Sequence, residues 1–488
     1  MNTTALQRSA SSRVFEVSEL LHLVCSFASV PDRARVSRTC KAGLRASIGL
    51  VWRTTYGRPL LSLLGATRTS INPNNNAGNR IDVMSISWSE RANFSRFDFY
   101  APYVRRFEVY GPGLACRYFR VEGWEHLTLR ARQRPLLPKL SSIHLHSFMK
   151  HHRDDVAAWI TAFISPSLTE VQVGSTYNNR YATHLPLLTA EVILDTVAAS
   201  CPQLQQLTLF SSQTPTLTVG PSDKLLGFFW RRPYHESLSK LNNLVELTCA
   251  ASIFEDDSIL VVSSLPVLRR LTIVGSTSSE IPNFDDFRVD SFPALLELHL
   301  AGSEEYDLAA TLTIPPLMSH LTHLELDYWP EDQDLDLNAI DSLIDYGAFR
   351  QLKNSPHLLF FALVVDSEER AKPYDIGDVN PVETFSGLPL ETIILIGVEA
   401  DAWMYDVNRL KTAWVNVTSV SMPDQLGLPS VLKCFAQLPA LLDLKIKLSL
   451  ATAWDYPEEP STCPLHTLES SSGGMIQIEP EDLKGVGE

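Results

Sequence analysis

At 488 residues, with 45% hydrophobic and 20% charged side chains, the chain is folded rather than disordered and too long for one small core. Its formal charge of −15 at pH 7 is uneven: residues 1–60 hold nine Lys/Arg against three Asp/Glu, and the rest 32 against 53. An acidic body repels phosphates, which argues against nucleic acid as its partner, and no run of 18 apolar residues predicts a membrane span. The first predicted elements are short helices. Val17, Leu20, Leu21, Val24 and Phe27 recur at helical spacing and form one apolar stripe, interrupted by Glu16 and Glu19 in a way a secretion signal is not. Pro31-Asp32 breaks the chain, Val36, Cys40 and Leu44 form a second stripe, and Leu50, Val51 and Trp52 close the segment. Three helices in so few residues need a partner or the body to pack on. The basic charge of this head suits an acidic partner, or is an ordinary solvated surface.

The segment 13–56 resembles the F-box, in the form found at the start of fungal F-box/leucine-rich-repeat proteins. Glu19-Leu20-Leu21 with Leu23-Val24 and Phe27 matches its first helix, and Arg35-Val36-Ser37-Arg38-Thr39-Cys40-Lys41-Ala42 its middle stretch. Trp52-Arg53 falls where the family ends its box. Two positions depart: Ser18 stands where a proline often does, and Gly43 where a tryptophan follows the cysteine. Both departures are expected to weaken helical packing or adaptor contact. The resemblance implies docking on a Skp-type adaptor, and through it a cullin, with Val17, Leu20, Leu21, Val24, Val36 and Trp52 as contact residues, some of which must pack the box itself.

Residues 57–99 are expected to link the head to the body, with the loop Ile71-Asn-Pro-Asn-Asn-Asn-Ala-Gly-Asn79 inside them. From 100 to 470 a signature, apolar-x-x-apolar-x-apolar, returns: Val104–Val109, Leu140–Leu145, Leu168–Val173, Leu204–Leu209, Leu244–Cys249, Leu268–Ile273, Leu295–Leu300 and Leu321–Leu326. Looser copies start at Leu390, Val417, Leu441 and Leu465. First anchors step by 24, 27 and 26 residues from Leu244, and by 27, 24 and 24 from Leu390, within the roughly 20–29 of leucine-rich repeats. Prolines 166, 202, 266, 293 and 439 precede copies, and Gly174, Gly275, Gly302 and Gly397 punctuate strand ends. The expected fold is an α/β repeat: a leucine-rich repeat solenoid, a curved parallel sheet with helices on the convex side, preceded by a small three-helix F-box-like domain. Repeat boundaries stay open from 303 to 320 and from 327 to 390, and 471–488 reads as a tail.

No phosphate loop, nucleophile elbow or metalloprotease motif occurs, so neither a catalytic nor a cofactor site is expected, and the protein is read as a non-enzyme. The seven cysteines are odd in number, widely spaced and lack C-x-x-C, which predicts no disulfide framework, no zinc finger and a reducing compartment, cytoplasmic or nuclear. His144, His146, His151, His152, Asp154 and Asp155 form the best metal candidate, but no closed ligand set emerges and none is assigned; His144 and His146 read as surface histidines. The acidic run from Glu331 to Asp345 lacks the glycine and terminal glutamate of a calcium loop. Binding is instead expected on the concave strand face, at Glu170, Glu246, Glu297, His299, His323, Glu325 and Asp327. Its carboxylates would form an acidic stripe selecting a basic protein segment, or would be ordinary solvent-facing polar residues. The function expected is substrate recognition in a Skp–cullin–F-box ubiquitin ligase; the alternative is a repeat scaffold with a degenerate box and no ligase role.

Overall fold

The computed structural model describes residues 17–65, 67–71, 82–86, 94–110, 119–145, 153–174, 185, 187–209, 235–254, 258–275, 286–303, 305–328, 349–365, 374–375, 385–399, 407–448, 463–471 and 474–477. The chain divides into two compact units, one comprising essentially everything up to residue 230 and one the remainder.

The first unit opens with three helices, α1 (Ser18–Phe27), α2 (Val30–Ser37) and α3 (Lys41–Val51). Pro31 sits in the first turn of α2, where its missing amide costs nothing, and the Ser29 hydroxyl caps that helix by accepting from the Asp32 amide at 3.4 Å. Arg33 ties α2 back to α1, its guanidinium donating to the carbonyls of Cys25 and Ser26, both at 2.8 Å, at the end where helical carbonyls lack partners. Leu21, Cys25 and Ala46 form the small core, with Val36 and Leu50 packed against it.

The sheet begins directly after α3. β1 (Thr54–Tyr56), β2 (Arg106–Glu108), β3 (Ser142–Leu145), β4 (Glu170–Val173) and β5 (Gln206–Leu209) run parallel in that order. The ladder's first strand thus lies at the end of the head, ahead of the residues read as a linker. Those residues also carry a strand pair, Thr67–Ile71 antiparallel to Asp82–Ile86, and Phe119–Glu122 joins the latter in parallel. Residues 72–79 lie outside the described residues. Behind β2, Phe107 packs on Trp159 and Phe163 of the helix Arg153–Phe163, ring centroids 5.6 and 4.8 Å away.

In the second unit, β6 (Glu246–Ala250), β7 (Arg270–Val274), β8 (Glu297–Ser303), β9 (His323–Tyr328), β10 (Phe360–Val365), β11 (Thr392–Ile396), β12 (Ser419–Gly427), β13 (Asp443–Leu448) and β14 (Thr467–Ser470) are parallel neighbours in sequence order. β15 (Gly474–Gln477) then turns back antiparallel to β14. The repeat signature sets the register. Leu247, Leu271, Leu298, Leu324, Phe361, Ile393, Val420, Leu444 and Leu468 stand in one row across the sheet, because a slip of one residue would turn every anchor into water. Burial alternates along these strands as the two-residue period requires.

A backbone device repeats with the anchors. From β6 to β13, one carbonyl ahead of each strand accepts two consecutive amides of the next repeat: Val245 O from Arg269 N and Arg270 N at 2.8 and 3.1 Å, and so on to Leu442 O from His466 N and Thr467 N at 2.8 and 3.0 Å. Arg53 O does the same for Arg105 N and Arg106 N, at 2.9 and 2.8 Å. The Trp-Arg pair that closes the head is therefore already the first rung of the ladder. Gly174, Gly275, Gly302 and Gly397 all take positive φ, and at Gly397 (74°) a Cβ would also run into the Val365 carbonyl.

Candidate protein-interaction surfaces

The helical stripe divides when α1 folds. Leu21 and Cys25, four residues apart, turn inward and are 2% and 1% exposed. Val17, Leu20, Leu23, Val24 and Phe27 lie outward, with Val24 57% and Phe27 85% exposed, and Val30 at the start of α2 extends the patch. So much apolar surface on a helix beside its own small core is unusual, since isolated exposed leucines are common but contiguous sets are not. Of the six residues named from the sequence, Val17, Leu20 and Val24 are exposed, whereas Leu21 is core and Val36 packs on it. Trp52 is half-buried and stacks on Tyr100 at 4.5 Å, which fastens the head to its own unit.

Gly43 decides how α2 and α3 approach. A Cβ there would lie 2.5 Å from the Val36 carbonyl oxygen and 3.0 Å from Thr39 Oγ1, so the helices are closer than any side chain at this position allows. The Cys40 thiol caps α3, its Sγ accepting from the Gly43 amide at 3.2 Å, and that hydrogen bond, with a second from Thr39, lowers the thiol pKa. Burial, by contrast, pushes Cys201 and Cys249 up to about 12. Among the described residues all six cysteines are free thiols.

The solvent-facing side of the strands carries the second set of named residues, distributed over the two units. In the first, Glu170 meets His144 rather than solvent alone. His144 is only 3% exposed, not a surface histidine, because Arg106 and Glu170 from the flanking strands close over it. A guanidinium can only donate, so His144 Nδ1 accepts from Arg106 at 3.1 Å and Nε2 faces Glu170 at 2.8 Å. Asp155 is likewise occupied, its carboxylate accepting from the Val121 amide at 3.2 Å and Trp124 Nε1 at 3.4 Å. His146, His151, His152 and the side chain of Asp154 lie outside the described residues, as does the acidic run 331–345.

In the second unit the carboxylates resolve into separate clusters. Arg270 bridges Glu246 at 3.1 Å and Glu297 at 2.5 Å across β6, β7 and β8, and the hydrogen bond it donates to Glu297 is the main cause that raises its pKa. One repeat on, His299 Nε2 lies 3.1 Å from Asp327, with Glu325 beside them. Burial opposes protonation of His299, but the hydrogen bond and charge of Asp327 and the charge of Glu325 outweigh it and raise the pKa. The His323 ring stacks on Phe360 at 5.3 Å. Lys445 and Glu469 pair at 2.7 Å. Interleaved cations thus divide the stripe of acidic positions.

Sequence reading missed the neighbouring stretch. β10 and β11 place Phe360, Val364, Ile394 and Ile396, all half-buried, on the solvent side of the sheet. The signal was present: Leu358-x-x-Phe361-x-Leu363 is a further copy of the repeat, its anchors fully buried, hidden by an interrupted spacing.

Regular parallel strands, one buried anchor row and a recurring carbonyl rung define the class, a leucine-rich repeat protein. No protein-family model matches the chain, and no curated protein matches it. Solved structures that resemble it include the internalin inlF of Listeria monocytogenes, at 11% identity and a TM-score of 0.30, covering 64% of this chain and 77% of that one. The class assignment rests on the ladder, not on that likeness. Among the described residues, no helix is long and apolar enough to cross a membrane.

Proposed function

We propose that this chain is a non-catalytic substrate-recognition subunit of a Skp–cullin–F-box ubiquitin ligase, in the cytoplasm or nucleus, with the head helices binding the adaptor and the strand face binding a protein substrate. Its contribution is proximity: it forms no bond itself but raises the concentration of substrate near the transferring enzyme. The observation that carries the reading is the outward apolar face of α1, Val17, Leu20, Val24 and Phe27, on a head that is joined to the first rung of the array through Arg53. A face of this kind fits a hydrophobic groove on a partner, read at i, i+3, i+4 and i+7 spacing. The divided charge of the strand face favours a substrate segment of mixed character over a purely basic one.

The close approach at Gly43 favours a second reading, a repeat scaffold with a degenerate box and no ligase role, because the family's usual tryptophan has no room between these helices. A pull-down of the full chain with a purified Skp-type adaptor separates the two. The control is Leu20→Asp with Val24→Asp, both outward-facing, so that the core around Leu21 stays intact. Capture by the wild type that the control loses supports the ligase reading. No capture by the wild type leaves the scaffold.

A further inference from the structure

We propose that His299, Glu325 and Asp327 form a binding site for one first-row divalent metal ion of the zinc class, on the solvent side of β8 and β9. The inference does not depend on the adaptor reading. His299 and Glu325 are direct register partners on neighbouring parallel strands, and Asp327, two residues beyond Glu325, projects from the same side. One nitrogen and two carboxylate oxygens lie within 4.8 Å of one another, and His299 Nε2 is 3.1 Å from Asp327 Oδ2. Donors on a zinc ion about 2.0–2.2 Å away are separated by roughly 3.3 Å along a tetrahedron edge, so the His–Asp pair already spans one edge. Glu325, on a longer and more flexible side chain, needs only a rotamer adjustment to supply a third donor.

Charge points the same way. On this face Glu246 and Glu297 share Arg270, and Glu469 takes Lys445, whereas among the described residues His299 is the cationic partner that Glu325 and Asp327 share. Their register neighbours bring no cation: Ala362 stands beside Glu325, and Ala301 and Val364 flank Asp327. The groups sit half-buried on a rigid ladder, where a divalent ion gains more from two carboxylates than it would in open water. Mixed nitrogen and oxygen donors suit zinc, cobalt and manganese, and three protein ligands leave an open position toward solvent for water or for a carbonyl or carboxylate of a bound partner.

The full chain, stripped with chelator, would be titrated with Zn²⁺ by calorimetry and with Co²⁺ by absorption. The expected result is one equivalent bound with the visible bands of nitrogen and oxygen ligation and without the near-ultraviolet band of a cobalt–thiolate bond. Glu325→Gln and Asp327→Asn should each weaken it by about tenfold or more. His299→Ala should abolish it, while Asp443→Asn, a carboxylate elsewhere on the same face, should leave it within about twofold. Unchanged circular dichroism of the isosteric Glu325→Gln and Asp327→Asn variants separates lost ligation from lost folding. Absence of binding by the wild type, binding through thiolates, or binding that survives Asp327→Asn would each overturn the proposal and leave an ion-paired cluster without a metal.

Discussion

Leu21 and Val24 lie three residues apart on α1, yet one faces a core and the other water, and their truncations should separate stability from binding. Leu21, 2% exposed, packs with Cys25 and Ala46 and against Val36 and Leu50. Leu21→Ala removes three carbons from that core. Because so small a core can partly collapse, the expected loss is about 2–3 kcal/mol, near the lower end for such changes. Local opening of the head should then be roughly 30- to 140-fold more frequent, at tenfold per 1.4 kcal/mol. Val24, 57% exposed, already has its methyls in water, so Val24→Ala should change stability by less than about 0.5 kcal/mol. Hydrogen exchange read by mass spectrometry over α1, α2 and α3 measures both. The consequence for a partner runs the other way: side chains of this size each contribute roughly 1.5–3 kcal/mol when fully buried, so Val24→Asp should weaken adaptor binding at least about tenfold. If Val24→Ala accelerates exchange as much as Leu21→Ala does, the outward face is packed in solution and the argument from exposure fails.

Gly43→Trp restores the residue usual in the resembling family, but it forces a Cβ to 2.5 Å from the Val36 carbonyl oxygen; the expected loss is about 1–3 kcal/mol or more, and undiminished exchange protection of the head would refute the close approach. His299 gives a pH dependence whose sign follows from its raised pKa: the stability it contributes is fully present below its unfolded value, near 6.5, and is lost as pH rises through the higher folded value. Urea midpoints measured across that window in chelator should therefore fall with rising pH more steeply for the wild type than for His299→Gln; parallel curves would contradict the assignment. Alkylation with iodoacetamide, followed by peptide mapping, should modify exposed Cys40 first, and Cys201 and Cys249, whose thiols burial holds at about 12, last.

Some of this was legible residue by residue. The strands at 170, 206, 246, 270, 297 and 323 fall where the Leu-x-x-Leu-x-Leu copies place them, because an anchor repeated near every 25 residues can be buried only by stacking in register. The copy at Leu358 escaped because the spacing is broken on both sides of it. The strand pair in the presumed linker escaped because it stands ahead of the regularly spaced copies and was read with the loop beside it.

The sequence by itself determined the periodic features: which residues are anchors, where the chain turns, and that a short helical head precedes the array. Those follow from local spacing, which the amino-acid order states directly. Tertiary structure alone decided which side of α1 is core, that Arg53 is already a rung, and which charges meet. Arg270 lies 24 residues from Glu246 and 27 from Glu297, and His299 lies 28 from Asp327, so no local pattern couples them. A parallel ladder makes partners of residues one repeat apart, and the charge on its face is fixed only once those neighbours stand side by side.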